Sequence, residues 1–240
     1  MAPIYNSLVL NPKKEFGRGY SYWAFSGLSH NCAFFLRLAR SLCYLILLCV
    51  LNLFLGCASS PPENKEDICA IFEEKGHWYK AAKRASQRWG SPIQVMMAMI
   101  HQESGFENKA QPPRKRFLWI FPGPRPSTAY GYSQALDTTW DAYRQDTGNH
   151  GADRDDFSDA IDFVGWYNYN SQKYCGIKPN DAYHLYLAYH EGHEGFNRRT
   201  YKNKAWLKKS AKKVSKRSNT YLQQLQHCQK RLEGPWWWPF

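Results

Sequence analysis

The chain has 240 residues, 43% of them hydrophobic and 16% aromatic, and carries a net charge of +12. That length allows one folded domain with an appendage, and that hydrophobic content excludes wholesale disorder. Removing residues 1–56, which hold five Lys/Arg and one acid, leaves 27 basic against 19 acidic side chains, a net +8. Such a surface suits a polyanionic partner, whether nucleic acid, an anionic membrane face or an acidic wall polymer.

Arg37 and Arg40 precede Ser41–Leu55, which is almost wholly apolar. Positive residues followed by roughly fifteen apolar ones predict a secretory signal, since a spanning helix needs about twenty. An uncleaved anchor is the other reading of the same stretch; under either, the rest of the chain is exported. Leu55-Gly56-Cys57 before Ala58-Ser59-Ser60-Pro61-Pro62 resembles the bacterial lipoprotein cleavage site, with Phe54 where that motif usually carries Leu. The resemblance implies a leader over residues 1–56, lipid on Cys57 and an envelope location facing the periplasm. Ala58 and Ser59 carry no acidic retention residue, which favours the outer membrane. Residues 57–67 read as a polar, Pro-containing tether.

The folded domain is expected over residues 68–232, followed by a Trp-rich tail at 233–240. Residues 68–90 read as one or two helices, with Ile71, Phe72, Trp78, Ala81, Ala82, Ala85 and Trp89 apolar. Ser91 as N-cap and Pro92 at the first helical position open the next helix, which Gly105 ends. Ile93, Met96, Met97, Ile100 and Glu103 follow at spacings of three and four, placing Glu103 at the end of a buried stripe. A carboxyl there loses hydration of its charged form, so its pKa rises toward what a general acid needs. An exposed Glu at a frayed helix end is the competing reading.

Pro112, Pro113, Pro122, Pro124 and Pro126 mark Asn108–Ser127 as a long loop containing the basic and then apolar run Arg114–Phe121. A lid over a groove, a membrane contact and a core-packing flap all fit it. Helices are then expected at Thr138–Tyr143, Ser158–Tyr174 and Asp181–Tyr189. In the last helix Leu207, Ala211, Val214, Ser218, Tyr221, Leu225 and Cys228 form one narrow face. Lys208, Lys209, Lys212, Lys213, Lys216 and Arg217 form the other, read as a solvated surface. Among Cys69, Cys175 and Cys228, a Cys69–Cys228 disulfide would close the longest loop, and pairings with Cys175 stay open. No zinc spacing occurs: in His190-Glu191-Gly192-His193 the second His comes one residue early for the His-Glu-x-x-His motif, and no metal or cofactor is expected.

Three segments in order, Met99–Phe106 with Glu103-Ser104, Ala129–Trp140 with Gly131-Tyr132-Ser133-Gln134, and Leu187–Gly192 with Ala188-Tyr189-His190, resemble the transglycosylase SLT family (glycoside hydrolase family 23, which includes goose-type lysozymes). The match covers roughly residues 77–200. The resemblance implies a mainly α, lysozyme-like (α+β) fold, one helical domain with a substrate groove. It implies Glu103 as the single catalytic acid/base, with Ser104 orienting it and the substrate's acetamido group. Gln134 would face the sugar from the groove floor, and Tyr189 would bond Glu103 or the sugar. Tyr132 and His190 depart from the family pattern at substrate-facing positions. Peptidoglycan glycan strands become the expected partner, cut between N-acetylmuramic acid and N-acetylglucosamine with formation of 1,6-anhydro ends. A hydrolytic muramidase would need a second carboxylate, for which Asp137, Asp141, Asp153, Asp155 and Asp156 are candidates more simply read as turn and cap residues. A non-catalytic wall-binding lipoprotein is the third reading. Nucleic acid conflicts with the export signal.

Overall fold

The structure is a computed structural model that describes residues 40, 42–44, 60–114, 116–117 and 121–234, without the side chains of 116, 117, 121 and 122. Most of the leader, with Cys57 and the six C-terminal residues, lies outside the described residues. Contacts divide the chain into two units, residues 1–57 and 58–240, and the second holds the helical domain. No helix among the described residues is long and apolar enough to cross a membrane.

The domain is mainly α, as expected. In chain order the helices are α1 (Ile68–Glu74), α2 (Gly76–Trp89), α3 (Ile93–Ser104), α4 (Asp137–Thr147), α5 (Phe157–Cys175), α6 (Ala182–Asn197), a 3-10 turn (Thr200–Asn203) and α7 (Ala205–Glu233). The long Pro-rich loop holds a minimal antiparallel pair, β1 (Arg116–Phe117) with β2 (Phe121–Pro122), in the register Phe117 opposite Phe121. It therefore has some regular backbone where the prolines suggest none.

α3 is the axis. Val95, Met96, Met97, Ala98, Met99 and Ile100 are all buried, so the helix is apolar all round rather than along a stripe. α5, α6 and α7 pack around it, and α2 lies along α5. The expected cap is displaced by one residue. Pro92 occupies the cap position, and the buried Ser91 hydroxyl instead accepts a hydrogen bond from Asn168 Nδ2 on α5 at 2.9 Å. The hydroxyl thus ties two helices together instead of closing a helix end.

An aromatic stack centred on Trp78 pins the segments that follow α3. Phe157 lies parallel to its ring at 3.8 Å, and Tyr132 and Phe106 approach at 5.6 and 5.7 Å. A second cluster joins α4, α5 and α6 through Trp140, Tyr143, Phe163, Trp166, Tyr167 and Tyr189. α7 buries the seven-residue face its periodicity marks, from Leu207 to Cys228.

The segment before α1 is docked, not free. Pro62 is buried, the Tyr221 hydroxyl donates to the Lys65 carbonyl, and Gln224 bonds both the Glu66 carbonyl (3.1 Å) and the Ile68 N–H (3.0 Å). The domain consequently begins several residues before 68. Beside these bonds a Cys69–Cys228 disulfide spans 159 residues and fixes α1 to the end of α7. Cys175 is unpaired. Closing so long a loop constrains the unfolded chain strongly. Replacing both cysteines with Ser should cost about 2–5 kcal/mol of stability, read as a lower urea midpoint than that of the oxidised protein.

Candidate active site

Glu103 sits on the last turn of α3, half-buried where the helix leaves the core. Burial is the main influence on its carboxyl and raises its pKa to about 7; a hydrogen bond from the Tyr186 hydroxyl partly opposes this. The Tyr186 phenol is raised in turn, by its own burial and then by the Glu103 charge. Near neutral pH the carboxyl therefore exists in both protonation states, and a phenol fixes its orientation.

Nothing in the sequence singles out Tyr186. It precedes Tyr189 by three residues on α6, so the two phenols share one helix face. Tyr189 lies within the electrostatic reach of Glu103. Its hydroxyl, however, donates to the Ser133 carbonyl at 2.6 Å and does not bond Glu103. The expected partner is thus displaced by one helical turn: Tyr186 holds the acid, and Tyr189 holds the turn opposite.

Ser104 also works inward. Its hydroxyl donates to the Ile100 carbonyl at 3.2 Å and accepts from the Phe106 N–H at 3.1 Å. Those bonds stabilise the left-handed turn at Gly105 and Phe106 (φ 58° and 65°) that ends α3. The Ser104 hydroxyl is thus engaged in the turn that directly follows Glu103.

The second motif forms a tight turn beside this one. Gly131 has φ 76°, and a Cβ there would lie 2.1 Å from the Arg154 carbonyl oxygen, so no other residue fits. Gln134 adopts φ 51°, and its Nε2 donates to the carbonyls of Ala110 (2.8 Å) and Gly131 (2.9 Å). Two carbonyl partners require the amide nitrogen at that position, so the orientation of this Gln is fixed by its surroundings. Tyr132 is 2% exposed inside the Trp78 stack. It is a core residue, contrary to the groove position expected of it, because Trp78 and Phe157 offer it an apolar slot with edge-to-face geometry.

Gln134, Leu136, Thr139, Phe163, Tyr189 and His190 line a cleft of about 270 Å³. Glu191 and Gly192 also line it. Gly192 breaks α6 with φ 73° and ψ 160°, a conformation open essentially to glycine alone. Just before the break, the Glu191 side chain is 3% exposed and accepts from Lys204 Nζ at 2.8 and 3.0 Å, and from the Thr200 hydroxyl. Burial would raise its pKa, but those bonds and His190 hold it below the usual carboxylate range. It is an ionised anchor for the start of α7, not a second acid/base. Of the five aspartates considered for that role, four are engaged, and the Asp153 carboxylate makes no hydrogen bond or ion pair among the described residues. Asp137 pairs with Arg154 at 2.8 Å, Asp141 with Arg144 at 3.6 Å, Asp155 accepts from Tyr130, and Asp156 caps α5. His190 is exposed and packs edge-on against Trp206, with ring centres 4.9 Å apart. Among the described residues no cluster of His, Cys, Asp and Glu could hold a metal ion.

The raised Glu103 pKa makes stability depend on pH with a defined sign. Between the unfolded value near 4.5 and the folded value near 7, the native state keeps a proton that the unfolded state loses, so stability falls as pH rises through that window. Glu103→Gln removes that loss. It should be more stable than the parent at pH 9 by about 2 kcal/mol, with the gap closing by pH 4, as read from urea unfolding at both pH values.

A search of curated proteins finds no match to this chain. The family model for the transglycosylase SLT domain matches residues 45–228, a span containing Glu103, the Gly131 turn and the Tyr186–Gly192 segment together. With three-quarters of its length inside that match and the expected helical fold around it, the chain belongs to the transglycosylase SLT domain family.

Proposed function

We propose that this protein is a peptidoglycan lytic transglycosylase that cuts the glycosidic bond between N-acetylmuramic acid and N-acetylglucosamine and leaves 1,6-anhydro ends. The observation that carries the reading is a single half-buried carboxyl, Glu103, poised near pH 7 by burial and held by one phenol. A carboxyl so placed can give a proton and take one back without a second carboxylate.

In this reading Glu103 protonates the bridging oxygen as the bond from C1 breaks. The 2-acetamido carbonyl oxygen of the muramic acid attacks C1 and holds it as a cyclic oxazolinium. Glu103, now a carboxylate, takes the proton from the 6-hydroxyl of the same sugar. O6 displaces the acetamido oxygen at C1 and closes the anhydro ring. The carboxyl ends protonated as it began, and no water is consumed. Gln134, Tyr189 and His190 line the cleft, whose Tyr189 feels the Glu103 charge, and would contact sugar. The engaged state of Glu191, Asp137, Asp155 and Asp156 favours this reading over a muramidase, which needs a carboxylate free to activate water, and leaves Asp153 as the candidate that the muramidase reading would have to use. The basic surface suits the carboxylates of the wall, and the lipoprotein-like leader would hold the enzyme through Cys57 in the envelope, at the outer membrane facing the periplasm.

Digestion of purified peptidoglycan should release muropeptides about eighteen mass units lighter than their reducing counterparts, with none from Glu103→Gln. Reducing products would instead identify a hydrolase. In the free enzyme the acid must be protonated, so kcat/KM should fall as pH rises through about 7. Tyr186→Phe removes the hydrogen bond that favours the charged carboxylate. The falling limb of that profile should therefore move up by about half to one pH unit, measured on the same substrate.

A further inference from the structure

From Arg198 to Arg217 the chain carries ten basic side chains and no acid. Three of them reach carboxylates elsewhere: Arg198 pairs with Glu194, Lys204 with Glu191 and Arg217 with Glu66. The other seven have no ion-pair partner among the described residues. Two of these seven, Lys213 and Lys216, do more than face solvent. With Arg217 and Thr220 they line one wall of a cavity of about 500 Å³, His101 and Gln102 of α3 form another, and Glu66 lines it as well.

The charge balance in this cavity is positive. Glu66 is matched by Arg217, whose hydrogen bond is the main cause of its lowered pKa. His101 is neutral, since burial and then the Arg217 charge push its pKa down to about 4. Lys213 and Lys216 are left as two uncompensated ammonium groups three residues apart on one helix face. Like charges at that spacing repel, and an anion between them would turn the repulsion into attraction.

The location supplies the identity of the anion. Gln102 adjoins Glu103, so their Cα atoms are about 3.8 Å apart and their side chains leave the helix about 100° apart. The cavity and the acid thus open on neighbouring faces of one turn of α3. A bilayer surface is too flat to enter such a recess, whereas a short peptide branch can. In peptidoglycan the muramic acid whose bond is cut carries such a branch, with free carboxylates.

We propose that the recess between α3 and α7 is a subsite for the carboxylates of the substrate's peptide stem, contacted by Lys213 and Lys216. The inference rests on the proposed transglycosylase function and adds a preference to it: strands bearing stems are cut in favour of bare ones.

The test compares the full chain with Lys213→Ala/Lys216→Ala and Lys213→Arg/Lys216→Arg. The substrates are stem-bearing glycan strands and the same strands stripped of peptide by an amidase. The ratio of kcat/KM on stem-bearing to stripped strands should fall on the order of tenfold in the Ala pair and recover in the Arg pair, as expected for loss of a charge-assisted contact. An unchanged ratio in the Ala pair overturns the subsite. If even the parent cuts neither strand, the proposed function fails, and the recess is judged by calorimetric titration with the free stem tetrapeptide. Saturable binding that weakens about tenfold in the Ala pair then supports it. Absent or unaltered binding overturns it.

Discussion

A carboxyl group has to be deprived of water to work as an acid near neutral pH, yet it must stay within a substrate's reach. In this protein the deprivation comes from α3, which crosses the core with six consecutive buried residues and delivers Glu103 one turn later, at the point where the helix emerges. Burial raises the pKa, and one phenolic hydrogen bond limits the rise. The same arrangement makes the ionised native state less stable than a neutral residue there would. The core around α3, with its stacked Trp78 and Phe157 and the α1–α7 disulfide, offsets that loss.

The residues around Glu103 divide into those that aim it and those that bound the space before it. Ser104 and Gln134 commit their hydrogen bonds to the two left-handed turns that flank the acid, and Tyr189 ties the second of these turns to α6. Each of these hydrogen bonds fixes a backbone path that side-chain packing alone would leave loose. The break at Gly192 and the Glu191–Lys204 pair, its carboxylate enclosed and its ammonium half-exposed, join the end of α6 to the start of α7. Removing Lys204 would leave the enclosed Glu191 carboxylate with only the Thr200 hydroxyl and His190 to compensate its charge.

Much of the helix framework is legible in the sequence. The narrow face of α7 reproduces its spacing residue for residue, and α5 begins and ends within one residue of its expected limits. Glu103, the Gly131 turn and the end of α6 are readable as a set because three short motifs occur in one order. The departures have a common form. Ser91, Ser104, Tyr132 and Tyr189 each suggest a local or a substrate-facing role when only the sequence is considered. Each hydroxyl or ring also serves a partner distant in sequence or its own backbone (Asn168, the Gly105 turn, Trp78 and Ser133), while Tyr189 keeps its place in the cleft lining. Tyr186 escapes notice because nothing near it in the chain distinguishes it from a buried aromatic.

The sequence by itself determined where the helices run, which faces they bury and which carboxyl ends a buried helix. Periodicity, glycine and proline act over a few residues, and their consequences follow from local sterics and burial. Only the tertiary structure decided which phenol holds that carboxyl, which tyrosine joins the core and where the lysines of α7 gather into a recess. Those outcomes depend on hydrogen bonds and charges brought together across tens of residues, and two tyrosines one helical turn apart differ in nothing until their neighbours are in place.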